Sequence, residues 1–236
     1  MNASGQIDTS FDFRSDTPPG KDPDKFSPTL RKYHKLLWSK PLPGGTVFEL
    51  SDTTPGAYLH HQSALGDFVL SSDTVVPSFA FHKRLAHVIG QVPVELLDLF
   101  GTTRYTIGGM LVFPGKTVGR QLTINAARGF THSIQDRLDH TVECIRRHYL
   151  GLSSPLSGTL TRYAAFFALF ESFNGYVEFF LLQDLVTSAR SAVRFFGPFD
   201  DFKTAPLPSN GAAYIGYAQR AMEFIEARNC RIRKAS

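Results

Sequence analysis

The chain is poor in the residues that commit a protein to a recognisable chemistry. Of its 236 residues only two are cysteine, Cys144 and Cys230, and one is tryptophan. Two cysteines so far apart exclude a disulfide framework and a structural zinc site, and they point to a reduced, cytoplasmic setting. No apolar run approaches the roughly 18 residues that a membrane-spanning helix needs, so no membrane partner is expected. Residues 1–12 lack the basic-then-apolar order of a secretion signal. There is no Gly-x-Gly-x-x-Gly, no Gly-x-Ser-x-Gly and no His-Glu-x-x-His. Pro114-Gly115-Lys116-Thr117 resembles the end of a phosphate loop, but that loop needs a glycine where Met110 stands. Paired histidines such as His60-His61 alternate across a strand, so a metal site has no support.

What is present is an ordinary apolar fraction, an aromatic share of 13% driven by 21 phenylalanines, and a net charge of +4. Such a chain buries one sizeable core. Residues 1–25, rich in Gly, Pro, Asp and Ser, suggest a flexible N-terminal arm, followed by a single domain over 26–236. Ser27-Pro28 supplies a cap and a first-turn proline for a basic helix ending before Pro41. Short β-branched or aromatic runs follow at 46–50, 57–62, 67–71, 74–81 and 105–113, with one helix over 93–100. Helices are expected at 131–150, 156–173, broken by Asn174-Gly175, then 176–188 and 212–228, with a strand at 192–196. Strands first and helices later predict an α+β fold: short antiparallel strands from the N-terminal half packed on a helical C-terminal half. The phenylalanines at 166, 167, 170, 173, 179, 180, 195 and 196 fall on apolar faces and belong to the core. The basic run Arg228–Lys234 reads as a frayed, solvated end.

The segment Ile124–Tyr149 concentrates charge. Its helix carries an apolar stripe of Ile134, Leu138, Val142, Ile145 and Tyr149, with Asp136, His140, Glu143 and Arg147 on the opposite side. Acids early and bases late suit a solvated helix face. The functional alternative places an anion at Arg128-Gly129, beside the free amides of a helix start. Arg128, Arg137, Arg146 and Arg147 would then bind a phosphate, and Asp136 or Glu143 would move a proton. On that reading Arg128→Ala weakens ligand binding and leaves thermal stability unchanged.

Several phrases, among them SPTLRKYHKLLWSKPLP, INAARGF and DRLDHTVECIRRHY, resemble a bacterial family of uncharacterised proteins, and the likeness runs from about Phe11 to Arg233. The resemblance implies one domain and supplies no activity, cofactor or site. It also leads one to expect an apolar residue where this chain has His140, which leaves Asp136, Arg137, Glu143, Arg146 and Arg147 as the better candidates. A further pattern, His60-His61 on one strand and Ser71-Ser72-Asp73-Thr74 on the next, loosely resembles the nicotinamide pocket of ADP-ribosyltransferases, with Glu171 or Glu178 as the late glutamate. Three functions are therefore carried forward: an enzyme acting on a nucleotide or nucleic-acid phosphate, a non-catalytic protein-interaction module, and an NAD-linked transferase. The sequence names no cofactor and no oligomeric state.

Overall fold

The computed structural model describes residues 6–80 and 82–235. A three-stranded antiparallel sheet, β1 (Leu59–Ser63), β2 (Gly66–Thr74) and β3 (Met110–Pro114), is ordered β1-β2-β3. β1 and β2 form a hairpin in which Ser63 faces Gly66, and β2 continues against β3 with Asp73 opposite Leu111. Every residue of β3 is buried, as expected for an apolar run without alternation that is covered on both faces. The helices are α1 (Pro23–Phe26), α2 (Pro28–Trp38), α3 (Ala86–Ile89), α4 (Val94–Thr103), α5 (Ile124–Phe130), α6 (Leu138–Tyr149), α7 (Ser157–Arg162), α8 (Ala164–Ala168), α9 (Phe173–Phe179) and α10 (Gly211–Ala235). The α+β architecture read from the sequence is the one observed, with the sheet from the N-terminal half and mostly helices after it.

Local chemistry explains most boundaries. The Ser27 hydroxyl accepts from Leu30 N at 3.1 Å and Pro28 opens α2, as the cap-and-proline pattern predicts. Residues 46–50 form no strand; Val47 makes only an isolated bridge to Pro41. The run at 74–81 is not a strand either. Pro77 cannot donate to a ladder, and the chain leaves β2 at Thr74 to bury Val75 and Val76; the end of that run, residue 81, lies outside the described residues. Residues 107–109 form a 3-10 turn, so β3 starts only at Met110. The helix expected at 131–150 starts at Leu138, because Gln135 and Asp136 adopt left-handed backbone conformations, φ 50° and 59°. A separate helix, α5, precedes it, capped by Thr123, and Arg128-Gly129 lies inside this helix instead of in a turn.

Asn174-Gly175 does not break a helix. It forms the first turn of α9, where the Ser172 hydroxyl accepts from Gly175 N. Among the aromatic residues assigned to the core, Phe195 is half-buried and the others are buried, and Phe166, Phe170, Phe179 and Phe180 pack ring against ring. Within the segment expected as an arm, Ile7 and Phe13 are core residues, and Asp24 in α1 is bonded to β2. The basic C-terminal run is not a frayed end. α10 continues to Ala235, and Arg228, wholly buried, donates to the carbonyls of Phe180, Gly108 and Met110. Among the described residues no helix is long and apolar enough to cross a membrane.

Candidate functional site

Where β2 ends, a cleft of about 360 Å³ opens between the 73–80 segment, the end of α4 and the turn before α6. Its polar lining comprises Asp73, Thr74, Ser78, His82, Arg104, Tyr105, Gln135 and Asp136. Three non-glycine residues of its wall, Phe79, Gln135 and Asp136, hold positive φ angles of 57°, 50° and 59°. Each such conformation costs of order 1 kcal/mol or more and persists only where the surroundings enforce it.

Strand alternation sorts the carboxylates. Ser72 and Thr74 point to one face of β2 and Asp73 to the other. On the first face the Ser72 and Thr74 hydroxyls donate to the two oxygens of Asp24, at 3.1 and 3.0 Å. Burial, reinforced by Asp22, pushes the Asp24 carboxyl up to about 6. On the second face Asp73 is ion-paired with Arg128. Burial, with Asp24 and Asp136 adding to it, pushes Asp73 up to about 8 against the pull of that guanidinium. The side chain of Asp136 makes no hydrogen bond or ion pair among the described residues. It lies close enough to Gly129 that a Cβ built there would meet Oδ1 at 3.1 Å.

Ser72 also touches His34 Nε2 at 3.0 Å, an arrangement that invites comparison with a nucleophile and its base. The geometry forbids that role. The Trp38 indole, which can only donate, bonds His34 Nδ1 at 3.0 Å, so Nδ1 is the bare nitrogen and Nε2 carries the hydrogen. His34 therefore donates to Ser72, and Ser72 donates onward to Asp24. Burial pushes the imidazole down to about 3, so it stays neutral. The chain Trp38–His34–Ser72–Asp24 is an orienting relay, with no free base in it.

The residues singled out from sequence are distributed over distinct places. Arg128 does not face a ligand. It is 0% exposed and stacks on the Phe113 ring at 5.0 Å. Nε donates to Thr141 Oγ1 at 2.9 Å, one terminal nitrogen pairs with Asp73, and the other donates to the Asp136 carbonyl at 2.7 Å. It is a post beneath the cleft floor, with each of its three nitrogens bonded. Asp136 alone of the six lines the cleft. Glu143 is buried and bonded to Arg146 and Arg147, which, against the cost of burial, hold its carboxyl below the ordinary range. Arg147 goes on to pair with Asp201, and Arg137 pairs with buried Asp139 and donates to Pro206 O at 3.1 Å. Glu143, Arg146 and Arg147 thus form one ionic network with Asp201 along α6, and Arg137 forms a separate pair with Asp139 at its start.

The NAD-linked constellation is not assembled. His60 and His61 pair with Val69 and Phe68, toward the hairpin end of β2 and away from Asp73. His61 bonds Glu49 O and Ser63. Glu178 pairs with Arg190, and Glu171 lines a different cavity beside Arg146.

Sequence reasoning missed Asp73, Asp24 and Arg104 as site residues. The stretch Ser71–Thr74, singled out for another chemistry, contained Asp73, but its position between two expected strands hid the face that its carboxylate takes. Arg104, at the end of α4, had none. Its guanidinium lies over the Tyr105 ring at 4.9 Å, its buried Nε lacks a partner, and its side chain makes no hydrogen bond or ion pair among the described residues. Among those residues no group of three or more His, Cys, Asp or Glu is placed to hold a metal.

Compared with known proteins, residues 7–232 match one described as a family of unknown function, DUF6994. No curated protein and no solved structure matches the chain.

Proposed function

The chain belongs to the DUF6994 family, whose function is unknown, and from the geometry of this member we propose that it is an enzyme acting on a phosphate-bearing substrate of the nucleotide class. The observation that carries the reading is Arg104, a guanidinium in the cleft lining that makes no hydrogen bond or ion pair among the described residues, although its charge reaches Asp24, and that shares this lining with the carboxyl groups of Asp73 and Asp136. A planar fork of donors suits a phosphate, and the net charge of +4 favours an anion. Asp73, raised by burial, holds a proton near neutrality, whereas the side chain of Asp136 makes no hydrogen bond or ion pair among the described residues. That difference in surroundings gives Asp73 the role of acid and Asp136 the role of base in this proposal. In a hydrolytic step Asp136 takes a proton from water as its oxygen bonds phosphorus. Asp73 gives its proton to the departing oxygen as that P–O bond breaks, and Arg104 balances the charge on the phosphoryl oxygens. The relay behind Asp24 and the fork of Arg128 keep β2 and the 135–136 turn in register.

The test is a thermal-shift screen of nucleotides and simple phosphate esters. A ligand at 100 times its Kd stabilises by about 2.7 kcal/mol, which for a chain of this size raises Tm by roughly 5–10 °C. The Arg104→Gln protein should lose that rise while its unliganded Tm stays within a few degrees of the original. If no phosphate compound shifts the native protein, or if Arg104→Gln responds equally, the reading fails and a non-catalytic interaction module takes its place.

A further inference from the structure

Between Asp98 and Asp136 the sequence holds no acidic residue, and none between Glu143 and Glu171. The fold brings these two stretches together. Arg162 donates to Leu122 O at 2.9 Å and the Tyr163 hydroxyl to Lys116 O at 2.8 Å, fastening both ends of an exposed loop, 116–122, to the end of α7. Lys116 and Arg120 on this loop form no ion pair among the described residues. Among the described residues Arg162 donates only to Gly158 O, Leu122 O and Thr159 Oγ1 and pairs with no carboxylate. Gly119 and Arg120, with φ of 60° and 61°, turn the chain at the loop tip. From the loop α5 runs to Phe130, a residue 81% exposed. Its neighbour Gly129 abuts the Asp136 carboxylate on the cleft wall.

We propose that this surface, built from two stretches that hold no acid of their own, binds single-stranded nucleic acid, with phosphates on Lys116, Arg120 and Arg162 and a base stacked on Phe130, and leads the strand into the cleft. The proposal rests on the phosphate-directed reading of the cleft and narrows its substrate from nucleotides at large to a strand. Uncompensated cations track a phosphate backbone, and an exposed aromatic ring accepts any base. Continuity with the cleft favours a polyanion that enters it. The exposed Val118 and Leu122 would equally suit an anionic lipid surface, which the experiment separates.

Binding is measured by fluorescence anisotropy with a short labelled single-stranded oligonucleotide, as DNA and as RNA, over a salt series. Lys116→Ala with Arg120→Ala should flatten the slope of log K against log salt by about 1.4, about 0.7 for each lost phosphate contact. Phe130→Ala should weaken binding about 10-fold with little change of slope. Both proteins carry changes only at exposed positions and should keep the thermal shift with mononucleotide, which Arg104→Gln loses. Unchanged oligonucleotide affinity and slope in these variants overturn the surface. So does binding confined to phosphatidylserine vesicles. Oligonucleotide binding that depends on the surface, with mononucleotides silent, upholds the surface and removes the cleft reading. The reverse pattern removes the surface alone.

Discussion

Replacing Arg128 by alanine tests whether this residue is a post or a ligand contact. In the structure the guanidinium is fully buried and makes an ion pair with Asp73 and hydrogen bonds to Thr141 and the Asp136 carbonyl. Removing one partner of a buried ion pair costs about 3–5 kcal/mol. Two features place the expected loss at the lower end. Thr141 keeps its bond to Arg137 O at 2.8 Å, and the Asp73 carboxyl, which burial pushes up to about 8, is left protonated and not as a bare charge when its partner is gone. A loss of about 3 kcal/mol lowers Tm by about 6–12 °C for a chain of this length. Urea unfolding at neutral pH, followed by circular dichroism, measures it, with an unchanged m-value required for the comparison. Arg128→Lys keeps the charge without the fork and should fall between the two proteins. A double-mutant cycle with Asp73→Asn should show a coupling of about 0.5–3 kcal/mol. A loss below about 1 kcal/mol, the scale of a surface substitution, would refute the post and return Arg128 to the solvent-facing role that its place before a glycine suggests.

Two other perturbations probe the frame. Gly108→Ala would set a Cβ 2.4 Å from Ile225 O and 2.6 Å from Asn229 Oδ1, the oxygen that accepts Gly108 N–H, so unfolding should cost about 1–3 kcal/mol less than in the native protein; equal stability would show that α10 is not seated on the 107–109 turn. Because the folded Asp73 carboxyl is raised to about 8 from 3.8, the native state keeps a proton that the unfolded chain has released, and the stability this group lends is present below pH 4 and lost as pH rises through 8. The difference in unfolding free energy between pH 5 and pH 8 should therefore shrink in Asp73→Asn, and an unaltered difference would assign the proton elsewhere.

The class of fold was legible because it depends on coarse alternation: strands cut by Gly and Pro early, helical periodicity late. The capped α2 and the long α10 followed from local chemistry that their surroundings do not override. What sequence could not show was the direction of single side chains. Thr131–Leu150 has helical periodicity throughout, yet Gln135 and Asp136 are left-handed because Arg128 holds the Asp136 carbonyl and Asp136 N bonds Arg128 O at 3.2 Å. That lock is a tertiary contact and leaves no local mark. Arg228 sat in a basic run that resembled a solvated tail, and only the converging carbonyls of Phe180, Gly108 and Met110 draw it inside. Glu143 and Arg147, four residues apart on the charged side of the helix, form an ion pair. That pairing is what occupies them and keeps them from the cleft.

The same contacts couple stability to the geometry of the cleft. Arg128 joins a side chain of β2 to a main-chain carbonyl of the turn before α6, so loosening it displaces both carboxyl groups at once and lowers stability in the same stroke. A substitution there cannot separate binding from folding, whatever the ligand. Arg104 is the opposite case: its guanidinium rests on an aromatic ring and holds no second element in place. Loss of ligand response at position 104 with the fold retained therefore speaks to the cleft, whereas the same loss at 128 speaks first to the frame that aims Asp73 and Asp136 into it.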